Sequence, residues 1–201
     1  MELFKLIYRI IIFIVILMGI LKFFQKNYFL TVMWIVVVPL LMLIPKFLFS
    51  LNYIKLNYNK NLLYTLEIFV LFLLVMSMIL TLFLDNSIDF DSYVHFFNLI
   101  LYTIIFAVLY YILKTYLTKK DTNVNESIIF SIIFTLIFGV FLWEKYEFYG
   151  DKIFGTIMYY DFYQNADFDS FLDKVYGSLG ILFGSVLLHF KMGKWISKWK
   201  K

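Results

Sequence analysis

The chain has 201 residues, 63% of them hydrophobic and 22% aromatic, with a formal net charge of +4. Soluble domains of this size are roughly half apolar, so the excess, with a mean hydropathy of +0.84, places the chain among integral membrane proteins. It has no cysteine, which excludes disulfides, thiolate metal ligands and cysteine nucleophiles; its basic residues fall mostly between apolar runs, where they orient a membrane protein instead of binding nucleic acid.

A transmembrane helix needs about 20 mostly apolar residues. Six runs fit, at about 4–23, 28–49, 62–84, 94–114, 127–146 and 172–190. The expected fold is therefore all-α and polytopic, about six transmembrane helices in one bundle, with residues 1–201 forming a single integral membrane domain. The first run has a basic start but is followed by Gln25, Lys26, Asn27 and Tyr28. These offer no small-residue cleavage site, so the run reads as a retained span and not a signal peptide. The third run holds an isolated acid, Glu67, read as paired with Lys60 or reaching to the membrane surface. The fourth opens on "DSYVH", and the fifth ends in "EKYE". From Glu147 to Phe171 the chain reads as one long connection. Its "GTIMYYDFYQNADFD" suits the membrane interface and a short interfacial helix or re-entrant piece. The sixth run follows "DSFLD" and carries Gly177, Gly180 and Gly184. Such a small-residue stripe lets another helix approach closely. Packing inside one bundle is the favoured use; a homodimer contact through Gly180 and Gly184 is the minor alternative.

Orientation follows from lysine and arginine. Lys5 and Arg9, then Lys46, Lys55 and Lys60, then Lys114, Lys119 and Lys120, then the tail from Lys191 to Lys201 are basic. Six spans place all four groups on the cytoplasmic side, with both termini inside a plasma membrane. Lys22 and Lys26 fall in an outward connection, against the rule.

The acids are grouped. Ten of the fourteen lie in two outward regions: Asp85, Asp89, Asp91, Glu144, Glu147, Asp151, Asp161, Asp167, Asp169 and Asp173. Asp85, Asp89, Asp151, Asp161 and Asp167 read as solvated. The rest, with His95, form three pairs: Asp91 and His95, Glu144 and Glu147, Asp169 and Asp173. Residues three or four apart share a helix face. If spans four to six adjoin, the pairs meet at one depth near the outer surface. Ionised groups near a bilayer face the bundle interior and have partners. Two things relieve the repulsion among five carboxylates: basic partners, with Lys145, Lys152 and Lys174 nearby, or a bound cation. Oxygen-rich clusters suit Mg²⁺, Ca²⁺ or Mn²⁺, and a histidine adds Zn²⁺ or Fe²⁺. Carboxylates can also share a proton and act as acid and base, or as a relay.

"D-x-x-x-H-F", "E-x-x-E-F/W" and "D-x-x-x-D" before a glycine-bearing span resemble the YjdF-like inner-membrane proteins and, more distantly, the VanZ-like family. The matching positions are Asp91, His95 and Phe96; Glu144, Glu147 and Phe148; Asp169, Asp173, Gly177 and Gly180. The likeness covers roughly residues 85–190. The YjdF-like pattern has a glycine-rich stretch after the histidine and tryptophans about the later motifs. This chain has "NLILYTI" and Phe148 there. The resemblance implies a multi-pass membrane protein with a polar site at one face, and brings no settled reaction. Its VanZ-like side implies a role near the cell envelope or its lipids.

Bland readings stand beside these. His95 can be a structural hydrogen-bonding residue, Glu144 and Glu147 solvated acids, and Asp169 a helix N-cap. No phosphate-binding Gly-rich loop, HExxH or GxSxG occurs. The expected site comprises Asp91, His95, Glu144, Glu147, Asp169 and Asp173, all as candidate catalytic residues. Asp91, His95, Glu144, Glu147 and Asp173 are the candidate ligands of a divalent metal of unspecified identity. Such a site would bind or act on a lipid or amphiphile headgroup from within the bilayer. The alternatives are a small transporter or channel using the same acids, and a non-catalytic envelope or assembly protein.

Overall fold

The computed structural model describes residues 2–24, 31–83, 90–155 and 166–201, giving the backbone alone for some of them, chiefly 2–7 and 76–83 and including Asp91. No strand occurs among the described residues, so the chain is an all-α protein. The described chain divides into two compact units, Met1–Leu74 and Val75–Lys201.

The first unit holds α1 (Glu2–Phe24), a π-helical turn (Met33–Val37) leading into α2 (Val38–Ser50), the short α3 (Asn52–Asn57) and the start of α4 (Lys60–Phe83). The Tyr8 hydroxyl donates to the Met42 carbonyl at 2.7 Å, and the Lys46 ammonium lies 4.5 Å from the centre of the Tyr8 ring. Glu67 is buried. Lys46, from α2, exerts an attractive charge on it; Lys60, the partner expected from the sequence, sits two turns back on the same helix.

The second unit holds α5 (Phe90–Thr118), α6 (Val124–Thr135), a π-helical segment (Leu136–Leu142), α7 (Trp143–Phe154) and α8 (Ala166–Trp199). Among the described residues, three stretches are long and apolar enough to cross a membrane: Ser92–Thr118, Val124–Ile153 and Asp167–Trp199. The second runs unbroken through α6, the π segment and α7. Asn123 caps α6, its side chain accepting from the Asn125 N–H. Thr115 and Thr122 stitch the α5–α6 turn, with their hydroxyl oxygens 3.0 Å apart.

α8 runs parallel to α5 and antiparallel to α6–α7. Its glycines explain the close approach. A Cβ on Gly180 would come within 2.3 Å of the Phe96 carbonyl oxygen, and one on Gly184 within 3.1 Å of that of Ile100. The stripe therefore seats α8 on α5 within one chain. Leu99, Val140 and Ile181 make a small core where the three helices meet. Along the α5–α6 seam, Tyr110, Phe130, Phe134 and Phe138 stack in series.

The helix of the fifth apolar run, α6 through α7, outruns its expected end at about residue 146. "WEKYEFYGDKIF" reads as too polar for a span, yet it continues the helix to Phe154, because Glu144 and Glu147 face the bundle while Lys145, Phe148 and Tyr149 face out. Gly155 stops it in the left-handed region at φ 63°, where a side chain would be strained. The expected interfacial piece falls largely at 156–165, outside the described residues.

Candidate functional site

The π segment aims the site. Buried residues follow one face up this helix: Ser127, Ser131, Thr135, Val140, Glu144 and Glu147. The steps are four, four, five, four and three, and the five falls in the π segment. In an unbroken α-helix Glu144 would lie about 180° round from Thr135. The extra residue turns both glutamates onto the face that Ser127, Ser131 and Thr135 already bury. Single π turns of this kind recur at functional sites.

α5 and α8 bring their first turns to the same end of the unit. Their N-termini present the positive ends of two helix dipoles to that end, which favours acids there. From α5 come Ser92 and His95; from α8 come Asp169, Ser170 and Asp173; all are buried, as are Glu144 and Glu147. His95, Glu144 and Glu147 each offer a ligand atom, and the three atoms lie within 4.8 Å of one another. Asp173 Oδ2 stands 3.7 Å from His95 Nε2, and the Ser92 hydroxyl donates to Asp173 Oδ1 at 3.3 Å. The Ser170 hydroxyl donates to Glu144, and the Trp143 indole N–H donates to Glu147 Oε1 at 2.6 Å. Lys174 Nζ donates to Ser170 Oγ at 2.6 Å and lies 3.8 Å from Glu144 Oε2.

The structure thus gathers His95, Glu144, Glu147 and Asp173. Asp169 is buried one turn before Asp173, so it is more than a surface helix cap. Asp91 lies in the first turn of α5, and its side chain is outside the described residues. Of the acids read as solvated, Asp167 is exposed and Asp151 half-buried, while Asp85, Asp89 and Asp161 are outside the described residues. Lys145 and Lys152 are exposed; Lys174 is the nearby lysine that reaches a site acid.

Ser92 and Ser170 escaped the sequence reading, although a signal existed. Both motifs read Asp-Ser-x-x-(His/Asp), which sets each serine three residues before the group at the motif's end, on the same face. Trp143 reads as an interface marker in sequence; its hydrogen bond to Glu147 needed the fold.

Chemically, two carboxylates and an imidazole within reach of a common point make a plausible ligand set for a cation that accepts oxygen and nitrogen. A carboxylate beside a ligating imidazole fixes its orientation and strengthens it as a ligand. Deeper in the bundle, the Oδ1 of Asn98 and the Oγ1 of Thr135 are buried with no hydrogen-bond partner among the described residues.

A family model described as predicted membrane protein (DUF2238) matches residues 5–194. The match is consistent with the YjdF-like resemblance and extends it over the first helices, which carry none of the three motifs. It lends nothing to the VanZ-like link. No curated protein and no solved structure matches the chain.

Proposed function

Because this chain belongs to the DUF2238 family of predicted membrane proteins, we propose that it is a multi-pass protein of the plasma membrane, termini cytoplasmic, with a divalent-cation site near the outer face. The observation that carries this reading is the buried trio of His95, Glu144 and Glu147, with ligand atoms within 4.8 Å. Asp173 orients His95, and the buried Asp169 adds to the acidic surround; Asp91 stays a candidate ligand on its sequence spacing alone. The ligand is a lipid or other amphiphile headgroup of the envelope. In a hydrolytic version, His95, Glu144 and Glu147 would hold the cation, which would supply Lewis-acid polarisation of a phosphoryl or carbonyl oxygen, and one carboxylate would take a proton from water.

The test is elemental analysis of detergent-purified protein equilibrated with Mn²⁺ and freed of excess, wild type beside Glu144→Gln. One metal ion per chain in the wild type, lost in the variant, is the expected result. Wild-type protein that retains no metal would overturn the reading.

A second reading, a small transporter, draws on Asn98 and Thr135, whose buried oxygens extend polarity inward from the acids. It predicts cation or proton flux into proteoliposomes that Thr135→Val abolishes. Against it, the other hydroxyls below the site mostly bond to their own helix. Thr103 donates to the Leu99 carbonyl, Ser127 to that of Asn123 and Ser131 to that of Ile128.

A further inference from the structure

Glu144 shares its carboxylate with an internal cation. Lys174 donates to Ser170, and Ser170 donates in turn to Glu144, so the three form one directed chain. The ammonium itself is 3.8 Å from Glu144 Oε2. The two side chains differ in setting: that of Glu144 is 6% exposed and that of Lys174 is 38% exposed.

An ammonium already placed at a ligand carboxylate changes what any other cation gains there. A monovalent ion at Glu144 exchanges one positive charge for another. If it drives the ammonium away, it also breaks the bond to Ser170. A divalent ion brings a second charge, and the buried Glu147 and Asp173 are positioned to use it. Leaving costs Lys174 little, because its head rides on a flexible four-carbon stem and is already partly in water. Glu144 is thus guarded by a cation that a weak competitor cannot profitably replace.

We propose that Lys174 is the specificity-determining residue of the cation site, keeping Glu144 from monovalent ions and yielding it to divalent ones. The inference rests on the cation-site reading above.

The experiment titrates Mn²⁺ into the detergent-solubilised full chain, following free Mn²⁺ by its electron paramagnetic resonance signal. Na⁺ is varied against a bulky organic cation at constant ionic strength. Wild type, Lys174→Gln and Lys174→Arg are compared. Lys174→Gln is expected to bind Mn²⁺ about fivefold more tightly, the scale of one partly exposed ion pair, and to become sensitive to Na⁺. Wild type and Lys174→Arg should be insensitive to Na⁺. Equal or weaker Mn²⁺ binding by Lys174→Gln in a wild type that does bind would overturn the role of Lys174 and leave the site standing. Absence of Mn²⁺ binding from all three would sink both.

Discussion

Trp143 and Glu147 are one helical turn apart, and their 2.6 Å hydrogen bond gives a buried carboxylate a donor from its own helix. Trp143→Phe keeps an aromatic ring and removes the N–H. Hydrogen bonds to charged groups contribute about 1.5–3 kcal/mol, so thermal unfolding in detergent should show a loss of that order. A variant as stable as wild type would mean that another donor serves Glu147. At this scale the sequence was most readable for acids and histidine, because helical spacing alone says which of them share a face. It was least readable for Ser92, Ser170 and Trp143. Serine and tryptophan are ordinary residues at the end of a membrane helix, and a contact that crosses from α8 to α7, such as Ser170 to Glu144, leaves no periodic trace.

The helices show the same division. Their existence followed from the length of the apolar runs, and the close approach of α8 followed from its glycines. Two substitutions separate the tight from the loose part of that contact. A Cβ at Gly180 meets backbone at 2.3 Å, whereas one at Gly177 meets the Val140 side chain at 3.4 Å. Gly180→Ala should cost about 1–3 kcal/mol, and Gly177→Ala should unfold close to wild type; equal effects would contradict this packing. The π segment was not legible, since "LIFGVFL" carries no proline and no polar interruption. Its consequence is directly testable. Deleting the exposed Phe141 removes the extra residue, so the segment can relax to α-helix with Thr135 and Glu144 eight residues apart, the same spacing as Ser127 and Thr135, and both glutamates keep the buried face. Helix content by circular dichroism and Mn²⁺ binding should both persist. Lost binding would mean that the π turn does more than set the register.

For the molecule, the family match and the three membrane-length helices among the described residues make this a membrane protein, while the sequence expectation of six spans and their orientation goes further. The natural lack of cysteine makes orientation measurable with single introduced thiols. Asp151→Cys, beside the site, should react with an impermeant maleimide on intact cells. Lys201→Cys should react only after permeabilisation, and labelling of both from one side would overturn the proposed topology. What the sequence could not supply here is assembly of the site from three separated segments, since helical periodicity says which residues share a face but not which helices become neighbours.

The position of α8 as the last of these helices has a consequence for biosynthesis. Glu144 and Glu147 leave the ribosome before Ser170, Asp173 and Lys174 exist. For that interval the acids of α7 lack the partners that α8 later brings, Ser170 and Lys174 at Glu144 among them, and an acid in a membrane without its partners is costly. That cost predicts that the nascent helices up to Phe154 stay at the insertion machinery until α8 arrives and enter the lipid together with it. A chain stopped at Gly155 should be extracted and degraded, although it contains, intact, two of the three membrane-length helices found among the described residues.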